Sequence, residues 1–105
     1  MKKIAYIAHK ISGDIEGNIK KVLAIVRHIN LTEPDVTPFA PYIVDLQALD
    51  DNIPEERTRG MANNKAYFDA GFIHELRIYS DVSSGIKLEI EWACESNCLI
   101  KFYDK

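Results

Sequence analysis

Glu89 and Glu91 stand two residues apart in the stretch DVSSGIKLEIEWA, Asp81 to Ala93, directly after a Ser-Ser-Gly turn. A carboxylate can act as a general acid or base, or as a nucleophile toward an electron-poor carbon, when its solvation is altered by its surroundings. The run from Ile86 to about Ser96 reads as a helix. At about 100° per residue, Ile86, Ile90 and Ala93 share the sheet-facing side; Glu89 lies about 65° from its centre and Glu91 about 135° away, beside Lys87 and Glu95. Glu91 is therefore expected on the wet face in an i, i+4 pair with Lys87, worth a few tenths of a kcal/mol. Spacing alone leaves two readings of Glu89. It is either a desolvated carboxylate, kept ionised by the nearby helix N-terminus and able to attack an anomeric carbon, or a buried glutamate bonded to a tyrosine or a backbone amide.

Other reactive residue types form weaker patterns. His9, His28 and His74 have no metal-ligand spacing and read as surface or capping residues, so no metal site is expected. Cys94 and Cys98 would share one face of a helix, but they lack the second half of a zinc site and read as structural thiols. Arg57 and Arg59, in EERTRG, could reach a phosphate; pairing with Glu55 and Glu56 along a helix is favoured.

The elements that must position these residues follow from periodicity. KIAYIA, Lys3 to Ala8, is a short apolar run suited to a buried strand, and HKISGDIEG after it is a loop containing Ser12 and Gly13. From Asn18, apolar residues at Ile19, Val22, Leu23, Val26 and Ile29 mark an amphipathic helix. The proline-rich middle suits a strand near Val36 to Phe39 and a brief helix around Tyr42 to Leu49, and a further helix is expected from about Pro54 to Ala70. ELRIYS (Glu75 to Ser80) and CLIKFY (Cys98 to Tyr103) read as strands flanking the last helix. Strands alternating with helices predict a four- or five-stranded parallel sheet with helices on both faces. Ligands of such sheets bind beyond the carboxyl ends of the strands, where the loops of Ser12-Gly13 and Ser83-Ser84-Gly85 fall.

Composition sets outer bounds. The chain has 105 residues, 47% hydrophobic and 28% charged, which suits a single domain over residues 1–105. A formal charge of -3 argues against intact nucleic acid as a partner, and no transmembrane or signal segment is read, so a cytoplasmic protein is expected.

The pattern S-x-G-x-x-x-E-x-x-x-A, present as Ser83, Gly85, Glu89 and Ala93, resembles the C-terminal signature of the nucleoside 2-deoxyribosyltransferase superfamily, which includes the 2'-deoxynucleoside 5'-phosphate N-hydrolases. YIAHKISGD with Asn18, LDDNIPEERTRGM and FIHELRIYSDVSSGIKLEIEWA are similar to small phage and bacterial members, so the resemblance spans nearly the whole chain. It implies a Rossmann-like or flavodoxin-like three-layer α/β sandwich and cleavage or transfer of the N-glycosidic bond of a small nucleoside or nucleotide. Glu89 would attack C1' and water or another base would resolve the glycosyl-enzyme, without a cofactor. Ser83, Ser84 and the amides around Gly85 would hold a 5'-phosphate or 5'-hydroxyl. Tyr6 and the Ser12-Gly13 loop would line the sugar pocket, with Tyr6 equally readable as a core aromatic.

Two departures accompany the resemblance. The aspartate that helps protonate the leaving base has no clear counterpart in NNKAYFDAG, where Asp69 is close in an uncertain register, and His74-Glu75-Leu76 stands where small relatives read D-E-L. A non-catalytic nucleotide-binding protein is the alternative reading. Relatives assemble as homodimers or larger homo-oligomers, for which Tyr42, Tyr67 and Phe68, read as exposed aromatics, are candidate contacts, although core packing explains them as well.

Overall fold

Four short apolar runs pair as strands in the computed structural model, which describes residues 2–103. They are β1 (Lys3–Ala8), β2 (Val36–Phe39), β3 (Glu75–Ile78) and β4 (Leu99–Phe102), all parallel, in the order β2-β1-β3-β4. Helices α1 (Ile15–Thr32), α2 (Tyr42–Ala48), α3 (Pro54–Asp69) and α4 (Ser84–Glu95) make the connections that parallel pairing requires. The result is the Rossmann-like, flavodoxin-like α/β sandwich, with four strands.

The register divides the side chains between two faces. Tyr6 lies opposite Leu76 and Ile7 opposite Arg77, so alternation puts Tyr6 and Leu76 on one side of the sheet and Ile7 and Arg77 on the other. Tyr6 is fully buried against α2 and α3, its ring centroid 5.8 Å from that of Tyr42 and 4.9 Å from that of Phe68. Tyr42 and Phe68 are therefore core residues, which decides for core packing and corrects the reading of them as exposed contacts. Both helices roll these rings onto the sheet, where burial of a large aromatic is worth most. Tyr67 is half-buried, edge-on to Phe39 at 5.1 Å.

On the opposite face Arg77 is held by two carboxylates. Its Nε donates to Glu75 at 2.5 Å, and its terminal nitrogens donate to both oxygens of Glu33, next to the end of α1, at 3.0 and 3.1 Å. Burial pushes Glu75 up, but Arg77 outweighs it and holds the carboxyl below its ordinary range; Glu33 is lowered by the same guanidinium.

Element ends differ from expectation for local reasons. α1 begins at Ile15 rather than Asn18 because Asp14 caps it, its Oδ1 accepting from the Gly17 amide at 3.1 Å. A Cβ on Gly17 would meet that carboxylate at 2.1 Å, so the cap depends on glycine there. β3 stops at Ile78 and β4 at Phe102, yet the Tyr79 amide still bonds Ala8 and the Tyr103 amide Ile78. α4 ends before Cys98: Asn97 adopts a left-handed conformation (φ 59°) and turns the chain out of the helix. Cys94 is consequently exposed on α4, while the Cys98 thiol, at the foot of β4, donates to the Ile73 carbonyl at 3.1 Å. The two cysteines do not share a helical face.

Candidate functional site

β1 lies between β2 and β3, and the chain reverses its direction across the sheet after β2, so the carboxyl end of β1 is a topological switch point. The segments leaving β1, β2 and β3 meet there around a cavity of about 400 Å³, a size that suits a small-molecule ligand. Its walls include Ser12 and Gly13 after β1, Asp45 and Leu46 on α2, Asn64 on α3, and Ser83 to Ile86 with Glu89 at the start of α4.

Two loops are fixed before any ligand arrives. The Lys10 amide donates to Ser80 Oγ at 2.9 Å and Lys10 Nζ pairs with Asp81 at 3.0 Å, tying the loop after β1 to the loop after β3. Buried Asn18 donates its amide to the Ile11 carbonyl at 2.9 Å from inside α1. Gly13 takes a left-handed φ of 95°, which glycine adopts without strain.

Helix α4 carries the rest. Ser83 is its N-cap, accepting at Oγ from the Ile86 amide at 3.3 Å, and its first turn, which borders the cavity, leaves amides without helical partners. Gly85 is helical, not a turn residue; a Cβ there would meet nothing nearer than Ser83 Oγ at 3.9 Å. What its missing side chain provides is room on the cavity wall.

Ile86, Glu89 and Ala93 form the buried stripe of α4, so Glu89 lies within the apolar line rather than on its shoulder. It is 8% exposed and borders the cavity. Burial pushes its pKa up to about 7, and the neighbouring Tyr6 hydroxyl pulls it part of the way back. The helix N-terminus does not keep it fully ionised, because Glu89 sits beyond the first turn, where that field fades. Tyr6 stands behind Glu89, outside the cavity wall, and its phenol is pushed well above its ordinary range by burial and by Glu89. Among the described residues its hydroxyl makes no hydrogen bond of regular geometry, and Glu89 is its polar neighbour. Tyr6 is thus a core aromatic that backs the carboxylate, rather than a lining residue.

Glu91 is exposed, without an ion pair to Lys87 among the described residues. Asp69 ends α3 in an exposed pair with Lys65 at 2.9 Å and does not border the cavity. His9, expected at the surface, is instead 9% exposed and borders the cavity, with Nδ1 2.7 Å from the Lys10 carbonyl. His74 fits its capping role, accepting at Nδ1 from the Ile4 amide at 2.9 Å. Arg57 also borders the cavity, and the expected pairing with Glu55 or Glu56 is not formed among the described residues.

Sequence reasoning missed the wall formed by Asp45, Asp51, Glu56 and Asn64. The acidic run DDNIPEE was the available signal, but only the folding of α2 and α3 over the sheet brings it to the switch point. Among the described residues no group of three His, Cys, Asp or Glu side chains is arranged to hold a metal ion, and no helix is long and apolar enough to cross a membrane.

No curated protein and no solved structure matches the chain. Residues 3–103 match a domain of unknown function, DUF7768, and this coverage of nearly the whole chain shows that the protein belongs to the DUF7768 family.

Proposed function

We propose that the protein cleaves or transfers the N-glycosidic bond of a small nucleoside or nucleotide, with Glu89 as nucleophile. The observation that carries this reading is a carboxylate nine-tenths buried at the wall of a ligand-sized cavity, one turn beyond a capped Ser-Ser-Gly helix start. A sugar seated between the Ser12-Gly13 loop and the first turn of α4 would present its anomeric carbon to Glu89, and its 5' substituent to Ser83, Ser84 and the free amides. Ionised Glu89 adds to C1' as the C–N bond breaks; water or a second base then displaces the ester. The near-neutral pKa keeps a large ionised fraction at physiological pH while burial leaves the carboxylate poorly solvated and reactive.

Asp69 stands away from the cavity, and that favours the second reading, a nucleotide-binding protein without turnover. Chromatographic detection of free base from a panel of nucleosides and their 5'-monophosphates separates the two. Release that disappears in Glu89→Gln and persists in Glu91→Gln supports the enzyme; ligand-induced thermal stabilisation with no base released from any substrate supports the binder. A homo-oligomeric state and a cytoplasmic location belong to the same proposal, and sedimentation velocity reads the first.

A further inference from the structure

The cavity is not electrically even. On the α2–α3 side its wall carries Asp45, Asp51 and Glu56, none of them in an ion pair among the described residues; Asp45 accepts only from the Asn63 side-chain amide at 3.3 Å and Glu56 from the Asp50 amide at 3.0 Å. Arg57 is the only Lys or Arg among the described residues on that wall, so with Glu89 opposite the carboxylates outnumber the guanidinium. The start of α1, which would otherwise attract an anion, is already occupied by the Asp14 carboxylate.

Glu89, 8% exposed, has the Tyr6 hydroxyl behind it, on the side away from the cavity. One further group at this cavity lacks a partner. The Asn64 side-chain carbonyl oxygen is buried with no donor among the described residues, an unmet acceptor of the kind that is costly unless a ligand supplies an N–H.

We infer that this cavity takes N-glycosides whose heterocycle is positively charged, such as an N-alkylated purine or a pyridinium, with the charged ring against the acidic wall. The inference rests on the glycosidic reading above and names its leaving-group class. The chemistry agrees with the position of Asp69. A neutral base departs with the electron pair of the C–N bond and needs a proton from an acid. In a cationic ring the same pair neutralises the ring nitrogen, so the base leaves uncharged as the Glu89 oxygen bonds to C1'. Water then cleaves the ester, returning Glu89 as carboxylate with release of the sugar and a proton.

The test uses three rings of similar shape and different charge, 1-methylnicotinamide (cation), nicotinamide (neutral) and nicotinate (anion), titrated into the whole protein by NMR. The N-methyl group stands in for C1'. The cation is expected to bind about tenfold tighter than nicotinamide, and nicotinate weakest, as a wall of net negative charge dictates. The cation's advantage should shrink below about twofold in the Asp45→Asn/Asp51→Asn/Glu56→Gln variant, whose amides keep the hydrogen-bond acceptors. It should also shrink in the unmodified protein as salt is added, a reading that survives if the variant fails to fold. Nicotinate binding tightest, equal affinity for all three, or no binding of any overturns the inference. Because no bond is broken, such a result leaves the base-release experiment standing, and absence of base release leaves the binding order readable.

Discussion

Glu89 links reactivity to stability through one proton. Its pKa of about 7 in the folded protein lies above the ordinary carboxylate value of 4.5. Below about pH 4.5 both states hold the proton; as pH rises from there to 7 the unfolded chain ionises first, and the folded state loses roughly 3 kcal/mol. Urea denaturation of Glu89→Gln across this range should show the variant gaining on the unmodified protein by about that amount, with most of the gain complete near pH 7.5. A pH-independent difference would mean that the carboxyl is not desolvated. Since nucleophilic attack needs the ionised form, kcat/KM for base release should rise about tenfold per pH unit below 7 and level off above it. A profile that falls across neutrality would assign Glu89 the role of an acid instead.

At the scale of elements, α4 and β3 make different demands. Gly85 occupies a helical position with space for a methyl group, so Gly85→Ala should raise helix stability by up to about 1 kcal/mol while reducing room on the cavity wall. The expected outcome is a higher Tm with ligand affinity lowered at least about tenfold; unchanged affinity would move the ligand away from the first turn of α4. β3 instead rests on Arg77, whose removal leaves Glu75 buried with, among the described residues, only the cations of Lys3 and Lys101 beside it, at 3.6 and 3.5 Å. Arg77→Ala should cost about 3 kcal/mol or more. Because Glu75 and Glu33 are held below their ordinary range, the stability they provide is present near neutral pH and is lost as pH falls through that range; this variant should show a shallower loss in acid.

These elements were legible in the sequence to different degrees. The strand at Val36 to Phe39 and the start of the helix at Pro54 stand where prolines and apolar runs indicate, because backbone restrictions act locally. The start of α1 was displaced by a capping aspartate inside what reads as a loop. The helical wheel separated Glu89 from Glu91 but could not show Tyr6 arriving behind Glu89 from another strand. Exposed contact and core packing both stayed open for Tyr42 and Phe68 for a similar reason, since which face of α2 and α3 meets the sheet depends on packing across the chain.

For the whole molecule, the order β2-β1-β3-β4 is what gathers the three loops into one site. Sequence spacing identified the loops around Ser12-Gly13 and Ser83-Gly85; the acidic wall from α2 and α3 depended on three-dimensional closure. The central claim is that Glu89 bonds covalently to a sugar carbon in this cavity. Intact-mass and peptide mass spectrometry after incubation with a 2-fluoro-substituted nucleoside, which slows breakdown of a glycosyl-enzyme, tests it most directly. The account predicts one added fluorosugar on the peptide containing Glu89, absent in Glu89→Gln and retained in Glu91→Gln. Base released without any adduct, or an adduct on another residue, would contradict it.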